Sequence, residues 1–245
     1  MRNLYYVGQD PTAFYTAVFD AYNDKTAYLV SEETLQPTFD DVWVNVTPNE
    51  EKTERVLKKI YALDRRAAYE IDLILRSNHT EKAQIAFEYV RLLVKTKKPV
   101  RHRVNEESVR AAIDLSQSVG YELHRMKGFI RFKETDGGVL YAPFSPDHQI
   151  VDLLAPHFFR RMGGTPFVLH DVKRGLAVVS NGRERIFTQV GDAQFFISER
   201  EQNIERLWKK YYKTVAITER KNTRQMKAYM PVRYWKFLPE KQELD

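Results

Sequence analysis

Apolar residues at Ile204, Leu207, Trp208, Tyr211, Tyr212 and Val215 recur at the i, i+3, i+4, i+7, i+8, i+11 spacing of an amphipathic helix. Ser198–x–x–Glu201 just before them has the form of a capping box, so a helix is predicted from Ser198 onward with these side chains as its core seam. The same period governs an earlier stretch. Thr47–Pro48–Asn49–Glu50 reads as a capping box with proline at the first helical position, and Val56, Ile60, Leu63, Ala67 and Ile71 carry that helix to about Leu75. A second helix is expected from Asn78 or Thr80 through Val94, and a third from an Asn105 cap to Val119, stopped by Gly120. Ahead of this block, Leu4–Val7 and Val42–Val46 read as strands and Asp10–Tyr22 as a helix.

From Tyr121 the pattern changes to alternation. YELHRMKGFIRFKE, a Thr135–Gly138 turn and VLYAPF predict a hairpin. Pro146 to Arg161 reads as a helix closed by Gly163–Gly164. PFVLHD, GLAVVS and RERIFTQV read as three further strands, the last two joined at Asn181–Gly182. Pro231 is expected to open a final short helix. The predicted fold class is α+β: a helical block, then a small antiparallel sheet with a packed helix, then C-terminal helices. The expected division is 1–119 and 120–245, possible also as one continuous domain.

The composition is that of a soluble globular protein, with 43% hydrophobic and 29% charged residues. No apolar run approaches the roughly 20 residues of a membrane span, and MRNLYYVGQD lacks the basic and apolar regions of a signal peptide. A cytoplasmic protein with no membrane partner is expected. The absence of cysteine excludes disulfides, thiolate zinc sites, Cys-held iron–sulfur clusters and cysteine nucleophiles in this chain. The net charge of +6 is unevenly placed. Residues 1–50 hold two basic and eight acidic side chains, whereas 205–236 hold ten basic and two acidic. That asymmetry points to a polyanion or an acidic partner for the C-terminal part.

Three stretches could carry chemistry. On a strand, Arg125, Lys127, Phe129, Arg131 and Lys133 would share one face, four cations around one ring, suited to offsetting phosphates and stacking on a base. In LHDVKRG (169–175), Asp171 beside Lys173 and Arg174 could orient an arginine toward phosphate, with His148 as a further candidate in a catalytic cleft. His148 and Asp152 stand four apart, but no metal-site spacing is recognisable, and no P-loop, Rossmann or G-x-S-x-G motif is present. The third stretch, ERKNTRQMKAYMPVRYWKFLPE (219–240), interleaves Arg220, Lys221, Asn222, Arg224, Lys227 and Arg233 with Tyr229, Tyr234 and Trp235, which fits a surface contact.

FYTAVFDAY, HRMKGFIRF, YAPFSPDHQIVDLLAPHFFRRM, FVLHDVKRG and that final segment together resemble a bacterial "probable DNA metabolism protein" family, domain-of-unknown-function family 4130. The resemblance runs across nearly the whole chain and is most specific in RKN and MPVRYWKFLPE. It implies a DNA-repair or DNA-modification setting beside a radical-SAM partner. That partner, not this chain, would carry an iron–sulfur cluster and S-adenosylmethionine. It also implies that Arg131, Asp171, Arg174, Arg220, Asn222, Pro231, Arg233, Tyr234, Trp235 and Glu240 matter. Relatives fused to uracil-DNA-glycosylase-like domains belong to the same picture, although glycosylase motifs are absent here. Three readings stand: an accessory protein that binds single-stranded or damaged DNA and presents it to the partner; a nucleic-acid-processing enzyme around Asp171 and Arg174; and a scaffold that docks the partner.

Overall fold

The computed structural model of the chain describes residues 1–32, 38–191, 196–217 and 222–242. They form two compact units, Met1–Tyr121 and Glu122–Asp245. The mixture of helices with small sheets is the α+β architecture expected.

The first unit opens with a three-stranded parallel sheet. β1 (Asn3–Tyr6) lies between β2 (Ala27–Val30) and β3 (Val42–Asn45). Parallel neighbours need a crossover, and α1 (Pro11–Ala21) supplies it between β1 and β2. Asp10 caps α1 by accepting from the Thr12 N–H, with proline in its first turn. The long helix expected at 50–75 is two helices, α2 (Glu50–Leu63) and α3 (Arg65–Leu75). Asp64 divides them: its extended backbone ends α2, and its side chain caps α3 through the Arg66 N–H. Asn49, not Thr47, is the N-cap of α2, accepting from Lys52 N–H at 2.9 Å. α4 (Lys82–Thr96) packs on α3 and β2, and its Phe87, Tyr89, Val90 and Leu93 join the core formed by Phe14, Ile60, Ile71 and Ile74.

The largest departure from the sequence pattern is α5 (Glu107–Phe129), which carries the chain from the first unit into the second. Gly120 does not stop it. Val109, Ala112, Ser116, Val119, Leu123, Met126 and Ile130 are all buried, at alternating spacings of three and four, and that helical seam overrides the short alternation at 125–133. The predicted long strand shrinks to β4 (Lys133–Glu134), paired antiparallel with β5 (Leu140–Phe144).

The sheet of the second unit runs β4-β5-β6-β7-β8, with β6 (Phe167–Asp171), β7 (Leu176–Ser180) and β8 (Arg185–Gln189). It is mixed rather than antiparallel, because β5 and β6 are parallel across the crossover helix α6 (Val151–Met162). Every residue of β6 is buried at the sheet centre, three apolar side chains followed by the polar His170 and Asp171. α6 packs on β6 and β7 and ends at Gly163 in the left-handed conformation. α7 (Glu199–Val215), α8 (Thr223–Tyr229) and two 3-10 helices, Val232–Phe237 and Pro239–Lys241, complete the unit. Ser198 caps α7 through Glu201 N–H as the capping box required, while the Glu201 carboxylate accepts instead from Glu134 N–H.

The seam of α7 is a second correction. Ile204, Leu207, Trp208, Tyr211, Tyr212 and Val215 are all exposed, and none of the residues of α7 is buried.

Candidate functional site

The second unit holds a buried polar network built from sequence-distant motifs. α5 carries Glu122 into the interior, its side chain 1% exposed. The carboxylate accepts from Asp147 N–H at 3.0 Å, His148 N–H at 2.8 Å and the Tyr234 hydroxyl at 2.7 Å. Arg233 stands 3.6 Å from the same carboxylate and 2.9 Å from that of Asp147. On the opposite side of the 145–150 loop, the Arg174 guanidinium donates to Asp171 at 2.8 Å, to the Pro146 carbonyl at 3.1 Å and to the Asp147 carbonyl.

Local geometry places each group. The β6–β7 turn closes on Asp171, whose Oδ1 accepts Lys173 N–H at 3.1 Å. Gly175 completes that turn at φ 63°, where a Cβ would sit 3.1 Å from the Val190 carbonyl. Pro231 starts the 3-10 turn that buries Tyr234 and sets the exposed Arg233 beside Asp147. Electrostatics follow from this packing. Burial pushes Glu122 up, but the Asp147 N–H, the Tyr234 hydroxyl and the His148 N–H outweigh it, and the carboxyl lies below its ordinary range. Burial holds His148 low, against the opposing pull of Glu122 and Asp147. Burial raises Asp171 despite its Arg174 partner, and burial together with the bond to Glu122 raises Tyr234.

The structure therefore brings together His148, Asp171 and Arg174, the three candidate catalytic residues. It adds Arg233 and Tyr234 from the C-terminal motif, and Glu122 and Asp147, which sequence reasoning missed. In this network Asp171 and Arg174 are directed at the protein itself: Asp171 pairs with Arg174, and Arg174 holds the 145–150 loop through the Pro146 and Asp147 carbonyls. α6 begins at Val151, so His148 lies in that loop and does not share a helix face with Asp152. Among the described residues there is no group of three or more His, Cys, Asp or Glu side chains suited to holding a metal ion.

The predicted nucleic-acid residues divide into three sets. The strand platform is gone: Arg125 and Lys127 lie on α5, about 200° apart around a helix of 3.6 residues per turn. Phe129 packs against Tyr234 at 5.8 Å between ring centroids. Arg131 pairs with Glu240 at 3.0 Å, and Lys133 with Glu205 at 2.5 Å. A second set is bonded or packed within the protein, though Arg233 and Asn222 remain exposed. Tyr234 is buried, so it packs and bonds rather than stacking on a base, and Trp235 is half-buried with its Nε1–H donating to Met230 O at 3.0 Å. Arg233 is committed to the network, and Asn222 caps α8 through Gln225 N–H at 2.9 Å. The third set stays on the surface: Lys173, Arg224 and Lys227 are exposed. Arg220 and Lys221 lie outside the described residues.

A groove of about 730 Å³ runs between α7 and α8, while Arg224 and Lys227 are exposed on α8 away from its lining. Its walls include Tyr212 and Tyr229, Lys213 and Lys241, and the amides of Asn222 and Gln225. Lys241 is positioned by the Tyr212 hydroxyl at 3.0 Å and lies over the Trp235 ring at 5.4 Å. Exposed Arg206 and Lys210 continue the positive charge along α7.

A mixed sheet clamped by a buried Glu–Arg–Tyr network and edged by a cation-rich helical groove defines the second unit as a class. Residues 80–240 match the model of a family described as a domain of unknown function, DUF4130, and the chain belongs to that family. The match spans every residue of the polar network and all of the α7–α8 groove lining except Lys241. No curated protein matches the chain. Among the described residues, no helix is long and apolar enough to cross a membrane.

Proposed function

We propose that this protein is a DNA-binding accessory protein that holds single-stranded or damaged DNA in the α7–α8 groove and presents it to a radical-SAM partner. One observation supports the binding step. Exposed rings (Tyr212, Tyr229) and two lysines (Lys213, Lys241) line the same groove. Cations neutralise phosphate and release counterions, while rings stack on unpaired bases without regard to sequence. The internal network supports this reading as scaffold: it fixes the C-terminal segment that carries Lys241 and the far wall of the groove. The radical-SAM partner rests on the family resemblance, and the chemistry would belong to that partner.

The exposed seam of α7 favours a second reading, in which Leu207, Tyr211 and Val215 dock a protein partner. Fluorescence anisotropy of labelled single- and double-stranded DNA separates the two. The proposal expects salt-dependent binding with preference for the single strand. No binding to either at about 50 mM salt would overturn it and leave the docking reading.

A further inference from the structure

A second depression opens on the other end of α7. It has a volume of about 520 Å³, within the range of small-ligand clefts. Its floor is apolar and aromatic: Ile130, Phe132, Leu140 and Phe158, with Phe132 and Phe158 edge to face at 5.1 Å. Trp208 forms a wall, and its indole is held by an Nε1–H donated to Glu240 at 3.2 Å. Glu240 also accepts from Arg131, so the wall is braced from the end of α5.

The lining carries both signs, with Glu201 and Glu205 beside Arg131, Lys133 and Arg161. Lys133 is neutralised by Glu205 and Arg131 by Glu240, but Arg161 at the end of α6 is exposed and makes no ion pair among the described residues. The cleft thus offers a flat, apolar slot between aromatic surfaces with one free guanidinium at its entrance. That is complementary to a planar ring attached to a phosphate. The same helix connects it to the groove: Trp208 and Tyr212 stand one helical turn apart. The strap Pro239–Lys241 lies against α7, with Pro239 lining the cleft and Lys241 the groove.

We infer that this cleft receives one unstacked base of a single strand lying in the α7–α8 groove, with the base against Trp208 and the adjoining phosphate at Arg161. This rests on the nucleic-acid reading above. It adds a base-binding subsite, and therefore a requirement for a nucleotide that can leave its stack.

The test uses the full chain with Trp43→Phe and Trp235→Phe, leaving Trp208 as the sole tryptophan. An oligothymidylate of about 12 nucleotides, long enough for such a site, is compared with an abasic phosphodiester of equal length. Anisotropy reads strand binding, and Trp208 emission reads occupancy of the cleft. The inference expects Trp208 quenching by the base-bearing strand and not by the abasic one, with affinity for the base-bearing strand falling about 10-fold in Trp208→Ala. It also expects a 5-iodouracil placed centrally in the strand to photocrosslink to Trp208 or to the 158–162 segment. Strand binding with equal or no quenching, or crosslinks confined to Tyr211 and Tyr229, would overturn the base subsite and leave the groove standing. Quenching by free thymidine monophosphate at lower concentration than by the strand would also overturn it, in favour of a free-nucleotide site. Loss of all strand binding at low salt would overturn both.

Discussion

Replacing Glu122 by glutamine tests whether the buried network holds the second unit together. The carboxylate is inside the protein and satisfies three donors: the N–H groups of Asp147 and His148 and the Tyr234 hydroxyl. Glutamine keeps the size but has only one acceptor oxygen. Placed where Oε1 stands, that oxygen retains Asp147 and Tyr234, and the amide NH₂ then faces the His148 N–H. One buried donor loses its acceptor, at about 1–3 kcal/mol, and two bonds lose charge assistance, at about 1 kcal/mol each. Arg233 also loses part of its counter-charge. The expected loss is about 4 kcal/mol, a large share of the roughly 5–15 kcal/mol that stabilises a domain. Tyr234→Phe removes one donor and should cost about 1–2 kcal/mol. The double variant should cost less than the two singles together, because they share a bond. Urea unfolding followed by tryptophan fluorescence measures the totals, and amide hydrogen exchange at Asp147 and His148 localises them. A loss below about 1 kcal/mol in Glu122→Gln, with exchange at those amides unchanged, would refute the network as a clamp.

Other consequences are equally direct. Arg174→Met should release the Pro146 and Asp147 carbonyls, leave Asp171 buried without its cation, and cost about 3–5 kcal/mol in the same unfolding assay. Gly182→Ala should destabilise by more than about 2 kcal/mol, since Gly182 has φ 88° and a Cβ would lie 1.8 Å from the Gly164 carbonyl oxygen. Burial lowers His148 and His170, so the unfolded chain takes up their protons first. Stability should therefore be intact above about pH 6.5 and fall as pH drops through that value. Glu122, depressed in the fold, adds a further loss below its unfolded range near pH 4.3, and the raised Asp171 opposes the trend as its burial cost is relieved. An unfolding midpoint unchanged between pH 7.5 and 5.5 would contradict the histidine assignment.

The sequence disclosed its strands and caps where one period stood alone. β6, β7 and β8 and the cap at Ser198 follow local chemistry that tertiary packing leaves untouched. α5 was misjudged because two periods compete between Tyr121 and Lys133. The alternating cations suggest a strand, but Val119, Leu123, Met126 and Ile130 continue a seam that begins at Val109, and burial along that seam prevails over a helix-interior glycine costing about 1 kcal/mol. The same residues explain why Glu122 was missed. On a strand it is one charge among several, whereas on the helix it is adjacent to Leu123 on the buried face. Asp171 and Arg174 were legible because a tight turn joins them in sequence. Their meeting with Arg233 was not, because 59 residues separate Arg174 from Arg233 and only the fold closes that distance. The basic tail was legible as charge but not as position: Asn222 is used to cap α8, Arg233 pairs with Asp147, and Arg224 and Lys227 stay exposed away from the groove lining.

The central claim, that the α7–α8 groove binds single-stranded DNA through its cations, is tested most directly by the salt dependence of anisotropy for an oligothymidylate. The comparison is between the wild-type chain and a Lys213→Ala, Lys241→Ala variant. Each phosphate contact contributes a slope of about −0.7 in log affinity against log salt. The account predicts weaker binding in the variant at every salt concentration, with a slope shallower by about 1.4. Equal affinity and equal slope in the two proteins would contradict it.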